Sequence, residues 1–451
     1  MSSLQLLPDD CLRCMLRQCT LKGLRSLLVV SHRLSGLAYA TMRSQVWLHD
    51  PENAVIYPLL WHESHSLRAR AGPYLCGDSI RFISRHASQL FTFAGVDGEA
   101  KLIDVDAGVC VDLDLNAEAL TGAFDGKYVV ASFFGDATCK AFEVAMGECV
   151  WALPARAPDD TLTRDTCIAW VDSLLLVLSV DDDENRFNEV VGVSEGTLRL
   201  WEPPSSATMA APTLKTTVVL PGSPDPEARL FHDFHLAVHA KVAVVVSGTG
   251  SIVYCFALPS LDLLHMINLT DPQELCRDEW SKVRVECPPA CQGGRMVLGR
   301  SDGVAHVWSL LDADPRATEM YLDVHGGTTE EPSIDDSCVC ISAVALDGNV
   351  LATCHGSFGG FVQIHSISPI RHLRTLFFED GSHSMAGMAG YSFPELPFRG
   401  PGRFFGLHMV LDGSRLMCTV DSERDEKVNS NELWGDWLVT FDAYDVYHPR
   451  P

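Results

Sequence analysis

The sequence has no long hydrophobic run. Within 451 residues, no uncharged apolar stretch approaches the ~20 residues that cross a bilayer. Asp9 and Asp10 lie where a secretory signal would need its apolar core. We therefore expect a protein that stays inside the cell, in the cytoplasm, the nucleus or both, without a membrane partner.

Basic residues are scarce after the first 60 positions. Residues 1–60 contain six Lys or Arg and four Asp or Glu, the remainder contains 28 and 55, and the whole chain carries a net charge of −25. Acidic segments occur at Asp181–Glu184, Thr329–Glu331 and Asp421–Glu426. Nucleic acids bind clustered cations, so this composition argues against them and favours a neutral or basic protein target.

Metal ligands at workable spacing are also missing. The sixteen cysteines are scattered, and Cys11-x-x-Cys14 has no second pair at zinc-site spacing. Cys287 and Cys291 flank two prolines and lack a partner pair as well. We expect reduced, mostly buried thiols, with no metal and no cofactor.

The first 48 residues carry a helical pattern. Leu7-Pro8 followed by Asp9-Asp10 is typical of a helix start, because proline fits the first turn and carboxylates suit the positive end of the helix dipole. Apolar residues then recur at helical spacing as far as Trp47. A unit this small buries little surface alone, so we expect it to pack on a partner or on the rest of the chain.

From Ser79 onward the pattern changes to short strands and turns. An apolar strand, a small or acidic turn with glycine, and an alternating strand recur seven times. The units are Phe93–Asp104, Phe134–Glu143, Gly192–Trp201, Ser247–Phe256, Gly299–Trp308, Cys354–Ile364, and Arg415–Val420 with Trp437–Phe441. This repetition predicts a mainly β fold, a β-propeller of seven blades, with six or eight also compatible. We expect Ser79–His86 and Trp437–Tyr444 to meet in one blade and close the ring.

Residues 6–48 resemble an F-box. That family has a Leu-Pro start, an acidic turn, spaced leucines, a Val-Ser or Val-Cys pair and a late Val-Trp or Leu-Trp, and this order is matched from Leu7-Pro8 through Val30-Ser31 to Val46-Trp47. Leu34 departs from the pattern, since the family usually has Trp there, and so does Cys11, where Ile or Leu is usual.

The later region is similar to WD repeats. The best copies are Ser194–Glu202 and Ser301–Ser309, each ending in a tryptophan followed by one more residue. Neither a Gly-His nor a Trp-Asp dipeptide occurs, so the repeats are degenerate. The chain as a whole thus resembles the F-box/WD-repeat family. This resemblance implies an F-box over 4–48, a partly helical linker over 49–78 and a WD-repeat-like propeller over 79–448.

The resemblance also implies a function. Members are non-catalytic substrate-recognition subunits of SCF-type E3 ubiquitin ligases: the F-box binds a Skp-type adaptor, and through it a cullin–RING ligase, while the propeller binds the target protein. The implied adaptor-binding residues are Leu7, Pro8, Leu12, Leu16, Leu24, Leu27, Val30, Ser31, Leu34 and Trp47.

Two alternatives stay open. In one, the N-terminal helices only cap the propeller, which is a scaffold for another assembly. In the other, the protein is an enzyme, because Gly192-Val-Ser194-Glu-Gly196 matches the G-x-S-x-G nucleophile elbow in form, although a strand rather than a helix is expected after Ser194. We expect Trp201, Trp308 and Trp437 to be structural and to fill gaps between blades.

Overall fold

The computed structural model describes the strand-forming part of the chain and one residue near the N terminus. The described residues are 12, 68–76, 80–86, 89–94, 99–105, 109–114, 119–133, 139–145, 147–153, 163–181, 196–204, 211–220, 234–239, 241–247, 252–268, 287–292, 294–300, 303–310, 320–323, 341–355, 361–368, 370–377, 391–392, 404–412, 415–422 and 435–442. Within these ranges, no helix is long and apolar enough to cross a membrane.

Twenty-nine strands occur in the described residues. They are β1 (Arg68–Cys76), β2 (Ile80–His86), β3 (Gln89–Ala94), β4 (Glu99–Asp104), β5 (Val109–Asp114), β6 (Ala119–Phe124), β7 (Tyr128–Phe133), β8 (Cys139–Glu143), β9 (Glu148–Ala152), β10 (Thr163–Val171), β11 (Leu174–Asp181), β12 (Gly196–Glu202), β13 (Thr213–Val219), β14 (Phe234–His239), β15 (Val242–Ser247), β16 (Ile252–Ala257), β17 (Leu263–Asn268), β18 (Ala290–Gln292), β19 (Arg295–Gly299), β20 (Val304–Ser309), β21 (Met320–Asp323), β22 (Ile341–Asp347), β23 (Val350–His355), β24 (Phe361–Ile367), β25 (Ile370–Phe377), β26 (Tyr391–Ser392), β27 (Phe404–Asp412), β28 (Arg415–Ser422) and β29 (Gly435–Asp442).

These strands form seven sheets, which are the blades of a propeller. Blade 1 consists of β2–β5, blade 2 of β6–β9, blade 3 of β10–β13, blade 4 of β14–β17, blade 5 of β18–β21 and blade 6 of β22–β26. Blade 7 contains β27, β28 and β29 in order, followed by β1. The predicted mainly β, seven-bladed propeller is therefore confirmed.

The first strand of every blade lies innermost. β2, β6, β10, β14, β18, β22 and β27 each contact the next strand in this series, and β27 contacts β2, so the ring is closed. The repeated unit predicted from the sequence has the same place in every blade, since it is the hairpin formed by the second and third strands.

Ring closure uses a different strand from the one expected. β29 pairs with β1, with Arg68 opposite Asp442 and Ala71 opposite Val439, while Ser79–His86 contributes β2, the inner strand of blade 1. The expectation that the first and last strands of the propeller share a blade is right. The expectation that Ser79–His86 is the first of these strands was wrong, because β1 has that place. The propeller also begins at Arg68, inside the range expected to be a linker. The sequence did not predict this strand, because Arg68–Cys76 lacks the apolar alternation that marks a strand.

Hydrophobic side chains pack at the seams between neighbouring blades. In β15, Val242, Val244 and Val246 face blade 5, whereas Ala243 and Val245 face blade 3. Burial on both faces explains why such strands are apolar at every position.

The tryptophans act as predicted where their side chains are described. Trp308 is fully buried in the seam between blades 4 and 5, and Trp201 packs against the seam between blades 2 and 3. The side chain of Trp437 lies outside the described residues.

Candidate functional site: the two ends of the ring

Strand direction separates the connections into two sets. In each antiparallel blade, the turns between strands one and two and between strands three and four lie at one end of the ring, which we call the tight-turn end. Connections between strands two and three, and from one blade to the next, lie at the opposite, loop-rich end. Contacts between blades join like ends: Arg85 at the end of β2 donates a 3.4 Å hydrogen bond to the carbonyl of Leu411 near the end of β27.

Connection length differs between the two ends. At the tight-turn end, the first hairpin turn of every blade spans two or three residues, and in blades 1 to 6 the connection between strands three and four spans two to ten. At the loop-rich end, the segments 182–195, 269–289 and 324–340 are 14, 21 and 17 residues long. Long connections held by a rigid scaffold are where binding residues concentrate in folded proteins.

Charge follows the same division. The segments that join strands at the loop-rich end contain 31 Asp or Glu and 11 Lys or Arg, a net charge of −20. Those at the tight-turn end contain 7 and 3, a net charge of −4. The three acidic segments noted in the sequence all belong to the loop-rich end. Most of the chain's excess negative charge is therefore assigned by topology to one end.

Strand register adds acidic residues to the same end. Glu99 is opposite Asp114 in blade 1, and Asp421 is opposite Asp436 in blade 7, both where the strands reach the loop-rich end. Like charges at opposed positions of an antiparallel ladder are unfavourable.

The tight-turn end is fixed by a polar network between blades 5 and 6. Gln292 Nε2 donates to Asp347 Oδ1 at 2.6 Å, and Gln292 Oε1 accepts from the backbone N–H of Gly348. Asn349 Nδ2 donates to the carbonyl of Ser368 at 2.7 Å. Asp347 and Asn349 are buried, and the contacts satisfy the groups that make them, so this network joins two turns rather than presenting groups to a ligand.

Histidines inside the blades are held uncharged. His365 Nε2 lies 3.2 Å from Gln363 Oε1, and its ring meets that of His372 edge to face with centroids 5.3 Å apart. Burial lowers the pKa of His365 to about 3, and the neighbouring rings of His372 and His355 add to the effect. In blade 7, burial lowers the pKa of His408 to about 4. A general base at neutral pH needs a pKa near 7, so these side chains do not fit that role.

The described cysteines are free thiols. Desolvation raises the pKa of Cys110 and Cys149, which are exposed, and burial raises that of Cys255 to about 12. They therefore stay protonated and are weak nucleophiles. Among the described residues, no group of three metal-ligating side chains occurs, while Cys11 and Cys14 lie outside them.

The G-x-S-x-G sequence is not followed by a helix. After Ser194 the chain forms β12 from Gly196, paired with β11 on one side and β13 on the other. A nucleophile elbow needs a strand, a sharp turn and then a helix. The hydrolase alternative therefore lacks its structural setting.

One of the predicted adaptor-binding residues lies within the described part of the chain. Leu12 is helical and 1% exposed. Its role as an adaptor contact stays a prediction. The other nine predicted residues lie outside the described residues and are Leu7, Pro8, Leu16, Leu24, Leu27, Val30, Ser31, Leu34 and Trp47.

Comparison with known proteins places the fold. No protein-family profile and no curated protein matches the sequence. The structure is similar to that of U3-55K, with a TM-score of 0.52 and 14% identity over 83% of this chain and 98% of that one. The RRP9 WD40 repeats give 0.52 and 14% over 83% and 97%. The β-propeller domain of Myceliophteria thermophila Cps50 (Swd1) gives 0.50 and 10% over 83% and 99%. The chain has the WD40-type β-propeller fold.

This fold alone does not specify a function. It is common enough that 1093 chains of known structure match. At 10–14% identity the similarity concerns the fold and not what the other proteins bind. The features of this chain that bear on function are the two ends of the ring and the N-terminal sequence.

Proposed function

We propose that this protein is the substrate-recognition subunit of an SCF-type E3 ubiquitin ligase. In this proposal, the F-box at residues 4–48 binds a Skp-type adaptor, and the propeller binds a target protein without performing bond chemistry. The observation that carries it is the ordered match from Leu7-Pro8 to Val46-Trp47, placed directly before a closed WD40-type ring. Propellers of this kind are rigid supports for protein contacts.

The point where the chain enters the ring supports this arrangement. β1 begins with Arg68 opposite Asp442, at the tight-turn end of the outer edge of blade 7. The N-terminal segment therefore joins the ring at the end with short turns. The loop-rich end, with its net charge of −20 between strands, is left for the target.

The charge of the loop-rich end supports a neutral or basic target segment. An acidic segment, or one made anionic by phosphorylation, would be repelled there unless arginines converge on it. The same charge argues against nucleic acid and anionic membranes as partners. We propose a location in the cytoplasm, the nucleus or both. In this proposal the ligase subunit uses neither a metal nor a cofactor.

Direct binding to a purified Skp-type adaptor tests the proposal. We expect the full-length protein to bind and the double variant Leu7→Ala with Pro8→Ala to lose at least about tenfold in affinity, about 1.4 kcal/mol. Leu12→Asp is not a suitable test, because Leu12 is buried and an unpaired carboxylate there would destabilise the folded protein itself. Residues 68–451 alone should not bind. Wild-type protein that fails to capture the adaptor would end the ligase proposal.

A second candidate function is a scaffold for another assembly, with the N-terminal helices as a cap. Leu12 is 1% exposed, which is the burial expected of a residue in such a cap. The same binding experiment separates the two. A cap predicts no adaptor binding, together with a lower melting temperature when residues 1–67 are removed.

A further inference from the structure

Blade 4 has an outer strand without charged residues or proline. The sequence of β17 is Leu-Leu-His-Met-Ile-Asn. Leu263 and Leu264 are each 45% exposed, and Met266 is 53% exposed. Within the described residues, no further strand pairs with the outer edge of β17. Apolar side chains and a sheet edge are therefore open to solvent at the same place.

Other outer strands carry features that oppose strand addition. β1 contains Pro73, β5 contains Asp112, and β13 contains Lys215, and charges or proline on an edge strand discourage pairing. The outer strand of blade 6, β25, is instead covered by β26 in parallel, with Leu376 opposite Tyr391. Blade 6 thus has a short fifth strand, Tyr391–Ser392, paired along its outer edge.

The turn before β17 holds the edge in position. Leu258 and Leu261 are buried in the seam between blades 3 and 4. The N–H of Leu261 donates to the carbonyl of Ala257, and the N–H of Ala257 donates to the carbonyl of Asp262, both at 2.8 Å. Leu261 has a φ of 60°, which apolar residues adopt rarely and keep only where the surroundings fix it. A peptide that binds here meets an ordered strand and does not have to order it.

We propose that the outer edge of β17 binds an extended, neutral or basic peptide segment of another protein. Backbone hydrogen bonds add the segment to the sheet as a fifth strand, and its alternate apolar side chains cover Leu264 and Met266. The net charge of −25 disfavours an acidic segment and also a second copy of this chain.

The site is independent of the proposed ligase role. Blade 4 is three blades away from blade 7, where the chain enters the ring at Arg68. It lies on the outer rim, whereas the acidic segments belong to the loop-rich end. Failure of adaptor binding would therefore leave this proposal standing, and the reverse is also true.

A displayed library of random peptides tests the proposal. We suggest peptides of about nine residues, longer than the strand they would pair with. The library is selected on the full-length protein, with removal of peptides that also bind Met266→Lys. Enriched peptides should alternate apolar residues, carry no net negative charge and lack a central proline. Their affinity should fall at least about tenfold on Met266→Lys, because a lysine on an edge strand opposes pairing.

Two controls separate strand addition from simple charge attraction. Val111→Lys makes the same change at a side chain that is 47% exposed on the outer strand of blade 1, and it should leave binding unchanged. N-methylation of alternate amides in a selected peptide removes hydrogen-bond donors and should abolish binding. Hydrogen exchange on the wild-type protein needs no variant: the bound peptide should slow exchange in β17 and leave β5 unaffected.

Three outcomes would overturn the proposal. The first is a selection that yields no peptide able to distinguish the wild type from Met266→Lys. The second is equal loss of binding in Val111→Lys, which would assign the effect to charge alone. The third is self-association of the wild-type protein that Met266→Lys abolishes, which would assign the edge to a second copy of the chain.

Discussion

The two ends of the ring are made by the same strands and differ in almost every other respect. At the tight-turn end, the first hairpin turn of each blade has two or three residues, the other connections have at most ten, and a buried network through Gln292 and Asp347 links blades 5 and 6. At the loop-rich end, connections reach 21 residues and the segments between strands carry a net charge of −20. Short turns tolerate few insertions because they set the register of their strands.

In the proposed function, this difference assigns the target to the loop-rich end. Between blades 5 and 6, polar groups at the tight-turn end are paired with each other and link the two blades. Acidic residues are concentrated at the loop-rich end, and in blades 1 and 7 two of them occupy opposed positions in the strand register. Folding gains nothing from that arrangement, whereas binding to a basic surface does.

Opening the ring should have the largest effect, because both ends depend on closure. Deleting residues 1–67 keeps β1 and should leave a cooperative thermal transition. Deleting residues 1–78 removes β1, exposes the edge of β29 and takes Leu75 out of the seam between blades 7 and 1. We expect the second protein to lose cooperative unfolding by circular dichroism, as should one lacking residues 436–451.

The matched pair of N-terminal deletions makes this test specific. The two proteins differ only by residues 68–78, which contain β1. If both proteins melt at the same temperature, closure of the ring by β1 contributes nothing to stability. The two ends of the ring then do not form one cooperative unit.

The position of β1 also illustrates where sequence reasoning stops. The hairpins of strands two and three were predictable because they are local, apolar on both faces and joined by glycine turns, as in Gly299–Trp308. β1 contains two arginines, Gly72 and Pro73, and its partner β29 lies more than 350 residues away. Such a strand forms because it pairs with β29 and packs in the seam between blades 7 and 1. Its own sequence does not predict it.

The candidate site was predictable only in part. The acidic segments were visible in the sequence, but their common end depends on strand order, which no local pattern contains. The contact between Gln292 and Asp347 joins residues 55 positions apart and was equally hidden. Of the predicted adaptor contacts only Leu12 is described, so that part of the site stays a prediction.

Acid should weaken the ring through its buried histidines. His365 and His408 remain neutral when folded, whereas in the unfolded chain they gain protons below pH ~6.5. Their contribution to the free energy of unfolding is therefore fully present above pH ~6.5. It is lost as pH falls toward the folded pKa values of about 3 and 4. Each histidine should cost about 1.4 kcal/mol per pH unit over that window.

Urea unfolding between pH 7 and pH 5 measures this loss. His365→Gln cannot take up a proton and should show a shallower decline of the free energy of unfolding than the wild type. Identical slopes for wild type and His365→Gln would exclude His365 as the cause.

Removing a carboxylate from the tight-turn network should have a smaller effect. Asp347→Ala leaves the Gln292 amide without its 2.6 Å acceptor at the join between blades 5 and 6, and should cost about 1–3 kcal/mol. Asp112→Ala is the matched control, since Asp112 also makes a 2.6 Å contact, with Lys101, but its side chain is 81% exposed. Exposed pairs contribute about 0–1 kcal/mol. Equal losses in the two variants would mean that the network does not fix this end.

Neutralising charge should have the smallest effect, and one confined to binding. Replacing Asp182, Asp183 and Glu184 by amides removes three charges from the loop-rich end, whereas the same change at Asp312, Asp314 and Glu319 removes three from the tight-turn end. With a basic target segment, the first variant should associate about two- to fivefold more slowly at ~50 mM salt, because steering depends on charge near the contact surface. The second should associate like the wild type. At ~300 mM salt the association rates of all three proteins should converge, since screening shortens the range of these charges to a few ångströms.

Stopped-flow association rates at the two salt concentrations measure this directly. A larger effect from the tight-turn variant would reverse the assignment of the binding end, and a target lost on phosphatase treatment would replace charge attraction with recognition of a phosphate by converged arginines.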